Sequence, residues 1–350
     1  MKLPIKKAES RKIFCLAILI LILFFIPVLT SDPYYLHMLI MSGIFALNTM
    51  GWVLILRVGQ FSLGQAGFFA IGAYTSALLV NRLGFSFWGA WPLSGLTAAM
   101  VALIIGSVVL RIKGLYFAIV SFAFAEIIRL TIISWPKVLG GLDGLSGIPK
   151  PRPFSFMGLI KIDFVTSRVP FYYFLLIIVF IAALIFWRVD TSRLGRIFRC
   201  VSQNGDLSES LGINLMKYRV LAFTVACFFS GISGGFFAHY YGVLHPDSFT
   251  VSESILIQIQ ATIGGTASAV AGPVLGATVL TILSEFLRAA KHVEPVLYGG
   301  ILIVILFVLP KGLIDLGPRL LRLIDKKGRN TKLSMEPRKS LETTVSGLEK

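Results

Sequence analysis

Ionisable side chains inside the apolar stretches of this chain are few, and Glu126 stands near the middle of one of them. Exposing a charge to lipid is expensive, so such a residue is a functional candidate by default. Arg129 follows one helical turn later, and an i, i+3 pair can equally satisfy itself as an ion pair turned towards the bundle interior. Both readings stand on the sequence. Glu285 and Arg288 repeat the spacing at the end of a later apolar stretch, where an interfacial pair is the simpler account. Gln60, Gln65, Gln258 and Gln260 offer neutral donors and acceptors that could line a route for a polar solute without holding it tightly. They could also tie helices together.

Other chemistries are missing. No GxxxxGKS or GxxxxGKT phosphate loop occurs, so any ATP used belongs to another subunit. HExxH is absent, and His37, His239, His245 and His292 are scattered, as interfacial or loop histidines would be. Cys15, Cys200 and Cys227 lack CxxC spacing and read as free thiols. Neither a metal nor a cofactor bound by this chain is expected.

The elements that must position these residues are apolar helices. With 350 residues, 56% hydrophobic and 14% charged, the chain is expected to be an all-α polytopic membrane protein. About 20 apolar residues cross a bilayer. Spans are predicted near 13–29, 36–56, 61–80, 89–110, 115–134, 171–188, 219–242, 251–265, 269–287 and 296–310. The third, eighth and ninth are short or glycine-rich enough to be half-membrane helices. The first follows a basic N-terminus, 1–12, and lacks a small-x-small cleavage site, so it reads as an uncleaved span rather than a signal peptide.

The net charge of +16 is an orientation signal and not a nucleic-acid footprint. If both termini are cytoplasmic, 24 of the 33 basic residues fall on the cytoplasmic side: the N-terminus, the surroundings of Arg57, 111–113, 188–219 and the tail 311–350. The transmembrane domain then covers 13–310, with an external loop at 135–169 and a cytoplasmic loop at 189–218. In that loop Gly205 to Leu211 suggests a short helix, with Asp206 and Glu209 near its start. The tail reads as largely disordered, attracted at most to membrane lipid.

Residues 59–76, GQFSLGQAGFFAIGAYTS, put glycines, two glutamines and several hydroxyls between apolar neighbours. Polar backbone and amides at membrane depth mark either a wet path or close helix packing, and spacing alone leaves both open. Gly59 to Gly72 shares its small-residue rhythm with Gly264 to Ala277, as expected of paired broken helices in an internal repeat.

Four blocks, GQFSLGQAGFFAIGAYTSALL, RIKGLYFAIVSFAFAEIIRL, GGLDGLSGIP and SLGINLMKYRVLAFTVACFFSGISGGFFAHYYGVLHPDSF, carry a specific resemblance. In their order, over roughly 35–315, the chain resembles the LivM-like membrane subunits of branched-chain amino-acid ABC importers. The resemblance implies a bacterial-type cytoplasmic (inner) membrane location and a heterodimer with a second, related permease. It also implies two ATPase subunits holding ATP and Mg, and an external substrate-binding protein.

It further implies a coupling role for Asn204, Gly205, Asp206, Glu209, Gly212, Ile213 and Asn214. Path candidates are Gln60, Ser62, Gly64, Gln65, Gly67, Tyr74, Glu126, Gln258, Gln260, Gly264 and Gly265. Two departures are visible: Val201-Ser202-Gln203-Asn204 is less charged than the family's pattern, and Gln65 stands where a histidine is expected. Related permeases handle urea, short amides, nucleosides and sugars, so these remain alternative substrates. A self-sufficient secondary carrier and a membrane enzyme are the rival classes.

Overall fold

A computed structural model describes Pro27 and residues 32–112, 114–151, 154–156, 160–162, 164, 167–287, 294–309 and 312–315. Apart from Pro27, the predicted first span and the N-terminus lie outside the described residues. So do Arg288, His292 and the tail beyond Asp315.

Helix α1, Pro33–Leu56, starts where the sequence offers both a cap and a stiff first residue: Asp32 Oδ1 accepts from the Tyr34 amide at 3.0 Å, and Pro33 follows. After a non-helical stretch come α2 (Gln65–Leu83), α3 (Phe87–Val109), α4 (Leu115–Ser134) and the single turn α5 (Pro136–Leu139). A minimal antiparallel pair, β1 (Phe154–Phe156) and β2 (Ile160–Ile162), sets Phe154 opposite Ile162. Then follow α6 (Val169–Thr191), α7 (Arg193–Gln203), α8 (Gly205–Ser210), α9 (Leu215–Tyr241), α10 (Val251–Gly264), α11 (Ala271–Leu287) and α12 (Glu294–Val308).

Five of these, α1, α3, α4, α6 and α9, are long and apolar enough to cross a membrane. The chain is an integral membrane protein with an all-α fold.

Helix α9 is the centre of the bundle and packs on α1, α2 and α3. Its GISGG run makes that possible. A side chain at Gly72 of α2 would run into the Gly231 carbonyl, and one at Gly231 would stand 2.6 Å from Ala98 Cβ of α3. Without a hydrophobic drive between helices in lipid, such close backbone approach supplies the association energy. Aromatic edges fill the remaining space: Phe171 of α6 meets Phe236 with ring centroids 5.8 Å apart, and Phe186 meets Phe229 at 4.8 Å. Helix α11 lies along α1 and closes a hairpin with α10.

Two expectations are corrected and one is met. The third span, predicted over 61–80, becomes helical only at Gln65, because residues 59–64 are held out of the helix by side chains of neighbouring helices. The eighth and ninth are short, as the sequence suggested: α10 with 14 residues and α11 with 17 reach about 21 Å and about 26 Å, less than the ~30 Å of hydrocarbon. Residues 189–218, predicted as a loop with one short helix, are helical almost throughout. Ser192 caps α7 by accepting from the Leu194 amide at 3.1 Å, and Asn204 caps α8 by accepting from Leu207 at 3.0 Å.

At the Gly242 end of the bundle, residues 140–151 are fastened down. Leu145 and Leu244 exchange two backbone bonds of 2.8 Å, and the Ile148 amide donates to the Gly242 carbonyl at 3.1 Å. His239, fully buried, donates from Nδ1 to the Pro149 carbonyl at 2.8 Å, so its Nε2 accepts the Ser76 hydroxyl at 2.9 Å.

Candidate functional site

The break between α1 and α2 is built from one or two polar side chains on each of four helices. From the end of α1, the Gln60 amide folds back to the Ile55 carbonyl at 3.3 Å. Trp52 Nε1 of α1 then donates to the Ser62 carbonyl at 2.8 Å, and Ser121 Oγ of α4 accepts from the Leu63 amide at 2.9 Å. Ser62 Oγ takes the Gly64 amide at 3.2 Å, and Ser254 Oγ of α10 takes the Ala66 amide at 2.9 Å. Gln65 Nε2 donates to Ser230 Oγ of α9. In this way irregular backbone at membrane depth finds the partners that lipid would withhold.

The path candidates separate into groups. Gln60, Ser62, Gly64, Gln65 and Gly67 are buried around this break and the start of α2, and Tyr74 is buried about 14 Å farther along α2. Gln260 joins them from α10, accepting the Thr49 hydroxyl at 3.0 Å, whereas Gln258 is half-buried on another face. Both polar atoms of Gln60, Gln65 Oε1, Asn48 Oδ1 and the Tyr74 hydroxyl are buried without a protein partner among the described residues. An ordered water or a passing polar group can satisfy them. Gly264 and Gly265 lie apart, where α10 turns into α11.

Glu126 stands elsewhere, on α4, about 17 Å along that helix. Its carboxylate accepts from Arg129 Nε on both oxygens, at 3.0 and 3.1 Å, and from Nη2 at 2.6 Å, and Arg129 Nη1 lies 3.7 Å from Asp247. Glu126 and Arg129 remain 31% and 22% exposed while Phe122, Ile127 and Leu130 of the same helix are bare. A charged group at this depth with lipid on its open side would be costly.

On α8, Asp206 and Glu209 are exposed, and Gly212 at φ +80° ends the segment in the left-handed region. Asn204 and Asn214 are both N-caps, Asn214 Oδ1 accepting from the Lys217 amide at 3.0 Å. Gly205 is the first helical residue of α8, and Ile213 is half-buried.

Several participants escaped sequence reasoning. Leu207 and Leu211 are 57% and 74% exposed at i, i+4, making an apolar tip between the two acids. Glu253, in the first turn of α10, is half-buried with Oε2 shut off from solvent and unpartnered among the described residues. A carboxylate in a weakly apolar run was the available signal for Glu253. None existed for Trp52, Ser121, Ser230 or Ser254, which become notable only once the break they serve is known.

A family profile described as branched-chain amino acid transport system / permease component matches residues 34–309. The chain is 33% identical over 276 residues to the high-affinity branched-chain amino acid transport system permease protein LivM of Escherichia coli, covering 74% of this chain and 64% of that protein. The same figures hold for LivM of Salmonella typhimurium. A probable LivM of Methanocaldococcus jannaschii is 23% identical, covering 73% of this chain and 78% of the other. The chain thus spans somewhat less than two thirds of the length of the two bacterial relatives. No solved structure matches it. With the profile covering most of its residues, the chain belongs to the family of branched-chain amino acid transport permease components.

Proposed function

We propose that this chain is a membrane subunit of an ATP-driven importer of branched-chain or other hydrophobic amino acids. It would share the translocation path with a second, related permease and couple it to two separate ATPase subunits, with an external binding protein delivering substrate. Its membrane is the bacterial-type cytoplasmic membrane, with the Arg57 end of the bundle inside. What carries the substrate class is the match to LivM proteins, whose names state branched-chain amino acid transport.

The path is assigned to the open face of α4. Glu126, Arg129 and Asp247 form a half-exposed triad among bare apolar side chains, and water or a partner subunit must cover it, since lipid cannot. Polar Gln258 and the buried group around Gln60, Ser62, Gln65 and Tyr74 lie behind that face as lining that opens when the bundle moves. The coupling element is Asn204 to Asn214. Leu207 and Leu211 supply an apolar anchor for a cleft on the ATPase, and Asp206 and Glu209 ring it with charge. ATP and Mg stay with the partner subunits.

Uptake of leucine by vesicles holding the assembled complex tests this reading. Transport should require ATP inside and the binding protein outside. Glu209→Arg should leave the protein inserted, and should lower uptake about tenfold while ATP hydrolysis continues. Uptake by this chain alone, driven by a proton gradient and abolished by Glu253→Gln, would replace the importer with a secondary carrier, for which Glu253, its buried Oε2 without a partner among the described residues, is the candidate carboxylate.

A further inference from the structure

Arg57 closes α1 and holds three separate parts of the chain. Its Nε lies 3.6 Å from Asp190 Oδ1 near the end of α6, and its Nη2 donates to the Ala267 carbonyl at 2.8 Å in the turn between α10 and α11. Its own backbone leads through Val58 into the break at 59–64. Asp190 in turn meets Arg199 of α7, with Nη1 3.5 Å from Oδ1 and Nη2 donating to the Asp190 carbonyl at 3.1 Å. Two residues beyond Arg57, Gly59 at φ +75° lies against α7 so closely that a Cβ there would stand 3.2 Å from Ser202 Cα. One guanidinium therefore ties the end of α6, where Arg199 of α7 also binds, to the 265–270 turn, and one glycine seats the 59–64 break against α7.

We propose that Arg57 is the positioning residue that transmits displacement of α7 and α8 to the 59–64 break and the 265–270 turn together. Its use in transport rests on α8 being the ATPase contact; the mechanical link does not. The Arg57 and Asp190 side chains are 17% and 20% exposed, so water screens their pairing less than that of Arg199, at 42%. A rigid planar fork can hold a carboxylate and a carbonyl at once, which a lysine's single ammonium on a flexible stem does poorly. When α7, through Arg199, draws Asp190 at the end of α6 away, the guanidinium must follow or let go, and Ala267 moves with it.

Arg199 provides the internal control, because it shares Asp190 and touches neither break. Hydrogen exchange of the full chain in lipid nanodiscs is the test. Arg57→Gln should speed exchange about tenfold in both 59–64 and 265–271. Arg199→Gln should speed neither, and Arg57→Lys should loosen 265–271 alone. Unchanged protection of 265–271 in Arg57→Gln overturns the proposal, and where that variant fails to insert, unchanged protection there in Arg57→Lys does so. In the assembled complex, substrate moved per ATP hydrolysed should fall about tenfold in Arg57→Gln. Wild-type uptake that needs no ATP would overturn the importer reading instead, while the exchange result still decides the link.

Discussion

The chain interrupts its helices at 59–64 and again at 265–270, both at the Arg57 end of the bundle, and the two interruptions are held in opposite ways. The first and the start of α2 that follows it are bound from outside by Trp52, Ser121 and Ser254, each from a different helix. The second is bound by itself: Ser268 Oγ accepts from Val270 and Ala271 at 3.3 and 3.0 Å, and among the described residues only Arg57 reaches it from elsewhere through a polar bond. Depth accounts for the difference. The first reaches the level of Gly51 and Ser230, where backbone groups need protein partners, while Ala267 is exposed in its turn and can use water. A segment with many foreign bonds is a fixture, and one with few is free to hinge.

The largest way to break this contrast is to remove what the fixture is anchored on. Gly231→Leu would drive a side chain into Ala98 and the Ser94 carbonyl, separating α9 from α2 and α3. The loss should exceed about 4 kcal/mol and leave little monodisperse protein on gel filtration. Gly300→Leu on α12, where an added Cβ meets nothing within 4 Å, should melt as the wild type does. A normal melt for Gly231→Leu would mean that the glycine crossing does not anchor α2.

A milder test removes one bond of the fixture. Trp52→Phe keeps the ring's bulk beside Phe61 and deletes the donor to the Ser62 carbonyl, at a cost of about 1–2 kcal/mol. Exchange should rise in 59–64 and stay unchanged in 265–270. Equal loosening of both segments would show that they unfold as one unit.

The helices were readable because lipid demands long apolar runs, and nine predicted spans, from 36–56 to 296–310, correspond to helices in the described residues. The echo between Gly59–Gly72 and Gly264–Ala277 was legible as composition, and each stretch does hold a break followed by a helix, α2 or α11. Where α2 begins was not legible. Gln65 starts the helix because Trp52, Ser121 and Ser254 hold the residues around the start, and those partners are distant in sequence. The ion pair of Glu126 with Arg129 followed from i, i+3 spacing alone, but its third member, Asp247, required the tertiary fold. Arg57 looked like a topological charge, and its side chain's two partners, Asp190 and Ala267, are distant from it in the sequence.

The smallest effect belongs to the second break. Ser268→Ala leaves the Val270 and Ala271 amides without their side-chain acceptor, but those amides sit beside exposed Ala267, where water can replace it. The cost should be about 1 kcal/mol or less, as for a lost helix cap. Exchange should rise only at 268–272, with the melt of the whole chain nearly unmoved. A drop as large as that of Trp52→Phe would mean that the 265–270 turn is as firmly fixed as the first break. Hinging would then have to be sought in α7 and α8 themselves.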